Sequence, residues 1–224
     1  MFPSFLLLDF VAPCSFMTKY VCKIILWILG FYCSPSVELP KENSMYLANH
    51  SSWLDYFIVK AYLNPQILQY YPSSNSYSSM NFLQFLYLSC CPSLSSKPAK
   101  SLLDCTKGSG RSFLIFPECT SSNGQGVLTF MVKKSLHSMK YTFVHIRFSF
   151  FYSRFSDKNL CFPSGNLFKS FIYCASKKTS RFDLQLSNSS VSQNLDADFA
   201  KSFGLEKLSL SVMDKIHFLK DYVK

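Results

Sequence analysis

The sequence predicts an α/β sandwich, a mostly parallel central sheet flanked by helices. Three observations carry that expectation. Stretches with helical apolar faces alternate with short apolar runs of strand length, the order that buries a parallel sheet between helices. The two clearest runs are followed at once by turn residues, as where a strand leaves a sheet. At 224 residues and 48% hydrophobic side chains, the chain can enclose one substantial core, which suits one domain with appended elements better than two complete ones.

Two apolar blocks open the chain, Phe5 to Pro13 and Ile24 to Cys33, separated by a stretch holding Lys19 and Lys23. A spanning helix needs about 20 apolar residues, and the second block meets Ser34 and Pro35 before reaching that length. Lys19, Tyr20, Lys23 and Trp27 suit a helix lying in a membrane interface, amines among the headgroups and rings at the boundary. The expectation is a membrane-associating segment over 1–40, a monotopic or re-entrant anchor, with the sandwich over 41–224. A cleaved signal peptide fits less well, because the charges stand between the apolar blocks and Asp9 interrupts the first. A pair of ordinary core helices is the other reading.

From Ser44 the pattern becomes strand, turn and helix: Met45 to Ala48, then Asn49-His50-Ser51-Ser52, then an amphipathic run from Trp53 to Leu63. Ser51 or Ser52 can cap that helix, and Asn64-Pro65 stops it. The Ser/Tyr-rich segment from Tyr70 to Met80 reads as a loop. A second helix, NFLQFLYL, ends before Cys91-Pro92, and PAKSLLDCTKGSG reads as a third, with Pro98 near its start and Gly108 and Gly110 beyond its end. SFLIF is a short apolar strand, and PECTSSNGQG after it is turn chemistry throughout. Tyr141 to Phe151 alternates loosely; FIYCA and FDLQL are further short strands. Near the C-terminus, Leu205, Leu208, Val212, Ile216 and Leu219 recur at three- and four-residue steps, the stripe of one docking helix.

Lys and Arg number 23 against 13 Asp and Glu, a formal charge of +10, which favours a polyanionic partner, either nucleic acid or an anionic lipid surface. The basic residues form only small clusters, such as Lys133-Lys134 and Lys177, Lys178 and Arg181, with no long tract and no zinc-finger spacing. That distribution argues against nucleic acid. The nine cysteines are odd in number, with one adjacent pair, Cys90-Cys91, and no C-x-x-C repeat. They read as reduced thiols, not a disulfide framework or a metal site. The 23 Phe suit contact with acyl chains, or simply an ordinary core.

Two constellations carry chemistry. In NHSSWLD, His50 and Asp55 are five positions apart; on one regular helix they would point about 140° apart and not meet. With His50 in the turn before the helix and Asp55 in its first turn, the carboxylate can curl back to the imidazole, fix its tautomer and leave the other ring nitrogen as a base. The helix N-terminus also favours the carboxylate as an anion. In FLIFPECTSSNG, Glu118 follows a buried strand and a proline, and strand C-termini are where α/β sheets bind ligands.

These two motifs, in this order and some sixty residues apart, resemble those of the lysophospholipid acyltransferase family, whose members carry NH-x4-D and a later FPEGT block. FPECTSSNG is most similar to the subgroup with FPEGTTSNG, which includes lysophosphatidylcholine acyltransferases and the yeast lysophosphatidate:oleoyl-CoA acyltransferase linked to vacuolar sorting. The resemblance covers roughly residues 45–150, and the stretch from Phe199 to Tyr222 is similar to that subgroup's helical tail. It implies a glycerol-3-phosphate acyltransferase-like sandwich with N-terminal membrane-associated helices. It implies transfer of a fatty acyl group from acyl-CoA to the hydroxyl of a lysophospholipid, lysophosphatidate foremost, at the cytosolic face of the endoplasmic reticulum or a lipid droplet. Acyl-CoA is then the co-substrate, with no metal, no other cofactor and no covalent intermediate.

Carried over by matching position, His50 is the general base and Asp55 its orienting partner, while Asn49, Glu118, Cys119, Thr120, Ser121, Asn123 and Gly124 belong to the substrate-binding block. An alcohol attacking a thioester needs such a base, and the turn from Cys119 to Gly124 offers backbone N–H groups for the oxyanion. The chain departs from the family pattern in four places. Cys119 replaces Gly, which matters if the position requires φ > 0. Ser121 stands where many relatives have Arg, so that Lys133, Lys134 or Arg111 would have to supply the charge. The intermediate G-x5-R block is not clearly present, with Lys97 a weak substitute. FVHIRF lacks the late proline, and its His145 reads as a strand residue. These departures keep open an impaired lipid-binding or trafficking adaptor on the same fold. A Cys119 thiolate as acyl carrier is a further rival; it needs a cationic neighbour, and Glu118 opposes it.

Overall fold

A computed structural model describes residues 15–33, 44–90, 100–107, 110–120, 122, 126–132, 141–150, 180–188 and 194–222. The first apolar block, FIYCA, Lys97, Lys133 and Lys134 lie outside them.

The elements run α1 (Ser15–Ile28), β1 (Phe31–Cys33), β2 (Met45–Ala48), α2 (Leu54–Tyr62), β3 (Gln66–Tyr71), β4 (Ser76–Ser79), α3 (Phe82–Cys90), α4 (Leu102–Thr106), β5 (Phe113–Ile115), β6 (Gly126–Val127), β7 (Tyr141–Phe150), β8 (Ser180–Asn188), α5 (Leu195–Phe203), β9 (Glu206–Lys207) and α6 (Val212–Tyr222). Seven strands form one sheet in the order β1-β8-β7-β2-β5-β3-β4, while β6 and β9 pair separately. The pairs β1/β8, β2/β7, β2/β5 and β3/β5 are parallel; β7/β8 and β3/β4 are antiparallel. The mostly parallel sheet flanked by helices that the sequence predicts is therefore present.

Strand alternation divides the interior in two. Tyr46, Ala48, Leu114 and Phe116 face one core, which α1 enters with Cys22 and Leu26, α2 with Phe57 and Ile58, and α3 with Phe82 and Phe85. Met45, Leu47, Phe113 and Ile115 face the other, closed by Leu102 of α4 and Phe199 of α5. α1 and β1 also contribute to the first core and to the sheet.

Three expectations need correction. The segment from Tyr70 to Met80 is not an irregular loop: β3 and β4 form a hairpin registered Tyr70↔Tyr77, with Tyr70 and Tyr77 stacked at 5.1 Å. Tyrosine fits a half-buried pleated surface, which outweighs the serines. The third helix is only the five residues of α4, because Ser101 caps it by accepting from Asp104 N. The C-terminal stripe is not one helix. Gly204, at φ 63°, ends α5 in the left-handed conformation, and Leu205 and Leu208 lie in the connection through β9 before α6 begins.

Candidate active site

The site forms where the central parallel strands end. Met45 pairs with Phe113 and Leu47 with Ile115, so His50 and the Phe116-Pro117 bend leave the sheet at the same edge. The turn after β2 is built by its own side chains. Leu54 N donates to Ser52 Oγ at 3.0 Å, and Ser52 N donates to the Asp55 carboxylate at 2.9 Å, the reciprocal bonds of a capping box. The same carboxylate oxygen accepts from Ser51 N at 2.7 Å and lies 2.9 Å from His50 Nδ1. Asp55 is wholly buried; four donors, with the Ser51 hydroxyl at 3.3 Å from the other oxygen, and the helix N-terminus make that burial tolerable. With Nδ1 held by the carboxylate, proton transfer falls to Nε2.

Aromatic rings confine the imidazole. Phe85 of α3 and Phe116 lie 4.8 Å and 5.0 Å from it, centroid to centroid, and 5.3 Å from each other. His50 borders a cavity of about 40 Å³, whose walls include Tyr70, Met80, Phe85, Cys119 and Thr120.

Asn49 and Glu118 reach the site but contact main chain. Asn49 Oδ1 accepts from Ile146 N at 2.8 Å and its Nδ2 donates to Ile146 O at 3.2 Å. Glu118 accepts from His50 N at 3.2 Å through Oε2 and from Leu128 N at 2.8 Å through Oε1. Both side chains thus hydrogen-bond main chain at the turns around the imidazole. Burial pushes the Glu118 carboxyl up to about 8, against the two N–H groups and the Lys215 charge of α6, which favour ionisation.

The bend after β5 tightens the same frame. Cys119 N donates to Phe116 O at 3.1 Å and Ser122 N to His50 O at 2.6 Å. Those two amides are thus engaged within the turns. Cys119 has φ 55°, in the left-handed region that favours glycine. Burial, and then the Glu118 charge, push its thiol up to about 12, which weighs against a thiolate carrier. Thr120 is buried and borders the cavity, its hydroxyl without a hydrogen-bond partner among the described residues. Ser121, Asn123 and Gly124 lie outside the described residues.

No protein-family model matches the chain, and no curated protein matches it. Among solved structures, the chain is similar to the 1-acyl-sn-glycerophosphate (LPA) acyltransferase PlsC from Thermotoga maritima, at 17% identity and a TM-score of 0.44, over 87% of this chain and 84% of that one.

Two basic candidates resolve differently. Arg111 lies just before β5, beside Ser112, whose carbonyl accepts from Gln66 N where β3 begins. That is the opposite end of the sheet from His50, so Arg111 cannot serve the site; its charge acts on Lys60 instead. Lys215, which no motif singled out, acts electrostatically on Glu118. His145 is a strand residue, buried in β7 with Phe203 at 5.1 Å, and burial lowers its pKa. Phe85 was also missed; its three-residue spacing from Phe82 marks a buried face but not the partner. Among the described residues, no group of three or more His, Cys, Asp or Glu is placed to hold a metal ion.

Proposed function

We propose that this chain is an acyltransferase that moves a fatty acyl group from acyl-CoA to the free hydroxyl of a lysophospholipid, lysophosphatidate foremost. The observation that carries the reading is the 2.9 Å contact between His50 Nδ1 and Asp55, placed beside the Pro117-Glu118 bend. His50 Nε2 takes the proton of the acceptor hydroxyl as its oxygen attacks the thioester carbon. Asp55 stabilises the imidazolium, and the tetrahedral intermediate then expels the CoA thiolate, which receives that proton. A positioned base of this kind contributes typically about 10²–10⁴-fold. Lys215, whose charge acts on Glu118, is one candidate cation for the acceptor phosphate. No metal or further cofactor takes part.

The same reading places the chain on a membrane surface, the cytosolic face of the endoplasmic reticulum or a lipid droplet. No helix among the described residues is long and apolar enough to cross a bilayer. Met17, Tyr20, Ile24, Trp27 and Ile28 of α1 are exposed, as is Lys23, and Lys19 is half-buried, which supports a peripheral or monotopic seat in the interface. The test is single-turnover transfer from acyl-CoA to lysophosphatidate by purified protein and by His50→Ala. Loss of transfer to the uncatalysed background is expected; equal transfer by the two proteins would remove His50 from the mechanism.

One observation favours a second reading, an impaired lipid-binding or trafficking adaptor. Cys119 holds a left-handed conformation that costs a side-chain-bearing residue about 1–3 kcal/mol, at a wall of the cavity. A silent wild type awakened by Cys119→Gly identifies the adaptor; robust wild-type turnover excludes it.

A further inference from the structure

Among the described residues, ten large apolar side chains stand exposed; five are on α1, two are Leu83 and Tyr87 of α3, and Leu103, Leu210 and Met213 are the rest. The apolar surface is thus concentrated on two helices of one layer. Both pack on α2: α1 through Cys22 and Leu26 in the shared core, α3 through Phe82, whose ring lies 5.0 Å from Tyr56 and from Phe57.

Charge separates this layer from the opposite one. α1 carries two lysines and no acid, and α3 carries no charged residue at all. The acid of α2 is Asp55, buried in the site. On the other side, Asp104 of α4 and Asp214 of α6 are exposed and Asp198 of α5 is half-buried, while Asp196 of α5 is buried beside Lys207. A helix face turned to water normally carries charge. An outer surface that is apolar, free of acid and supplied with Tyr20, Trp27 and Tyr87 matches the boundary of an anionic bilayer.

We infer that α3 is a second lipid-contact element, so that Leu83 and Tyr87 sit at the surface of an anionic bilayer together with the outer face of α1. Leu83 and Tyr87 are one turn apart on one side of α3, and Phe85 on its other side touches the His50 ring and walls the cavity. The helix that meets lipid is therefore the wall of the site. If the acyltransferase reading holds, an acceptor with a lipid tail reaches His50 past α3 without crossing bulk water; the lipid contact itself does not depend on that reading.

The experiment uses tryptophan quenching by phosphatidylcholine–phosphatidate vesicles with brominated acyl chains. The chain has two Trp; Trp53 is buried and supplies a constant background, and Trp27 reports α1. In a Trp27→Phe background, Leu83→Trp and Tyr87→Trp should be quenched as strongly as Trp27 is in the wild type, whereas Leu103→Trp on the opposite layer should not. Leu83→Glu with Tyr87→Glu should weaken vesicle binding several-fold. Positions 83 and 87 as unquenched as position 103, unquenched Trp27, or unchanged vesicle affinity of the double variant would each overturn the inference. Quenching at both helices in a protein that transfers no acyl group would uphold it while removing the acyltransferase reading.

Discussion

Two buried carboxylates stand at neighbouring strand ends, and they do different work. Asp55 lies in the first turn of α2, where two serine amides and the helix N-terminus surround one oxygen that also meets the imidazole. Glu118 has no helix behind it; its two oxygens are divided between amides of separate segments, at His50 and at Leu128. The first carboxylate orients a ring and the second fixes the main chain that carries it. Charge at a site can thus be invested in chemistry or in geometry, and the partner atom tells which.

The sharpest way to break that contrast is Asp55→Asn. The amide keeps the shape but leaves the wrong tautomer, so kcat for acyl transfer should fall about 10³–10⁴-fold with KM little changed. A loss confined to KM would mean that Asp55 contacts substrate. Glu118→Gln should act more mildly. It turns an NH₂ toward one of two backbone donors, and a small displacement of a catalytic group costs about 10²-fold in kcat. Were KM to rise with kcat intact, Glu118 would be a substrate ligand after all.

The same variant sharpens the comparison through pH. Burial lifts the Glu118 carboxyl from 4.5 to about 8. Between those values the folded chain keeps a proton that the unfolded chain has released, so its contribution to stability is present at low pH and lost as pH rises through about 8. Melting temperature should therefore decline across that window more steeply in the wild type than in Glu118→Gln. Parallel curves for the two proteins would contradict this. The smallest expected effect is that of Cys119→Gly, which relieves the left-handed strain and should raise stability by about 1 kcal/mol, read by denaturant titration. A destabilised variant would show that the thiol's packing outweighs the strain.

The part of this frame that was legible in the sequence is the part made of local signals. Two short apolar runs ending in turn residues placed β2 and β5, and the five-residue offset allowed His50 and Asp55 to meet only with His50 in the turn before the helix. The main-chain partners of Asn49 and Glu118 were not legible, because they are 97 and 68 residues away. A polar side chain reads the same whether it waits for a substrate or for a distant amide. The β3/β4 hairpin was hidden by serines that masked the tyrosine pairing, and the break in the C-terminal stripe by apolar steps of three and four residues that continue through the extended connection holding Leu205 and Leu208.

Asn49 has one more consequence. Its side-chain amide meets both the N–H and the carbonyl of Ile146, as a neighbouring strand's peptide group would, so β2 gains a rung beyond its last residue. The Ile146 amide hydrogen is thereby sheltered by a side chain. Its exchange with deuterated solvent clocks the opening of the histidine turn separately from the fraying of the sheet.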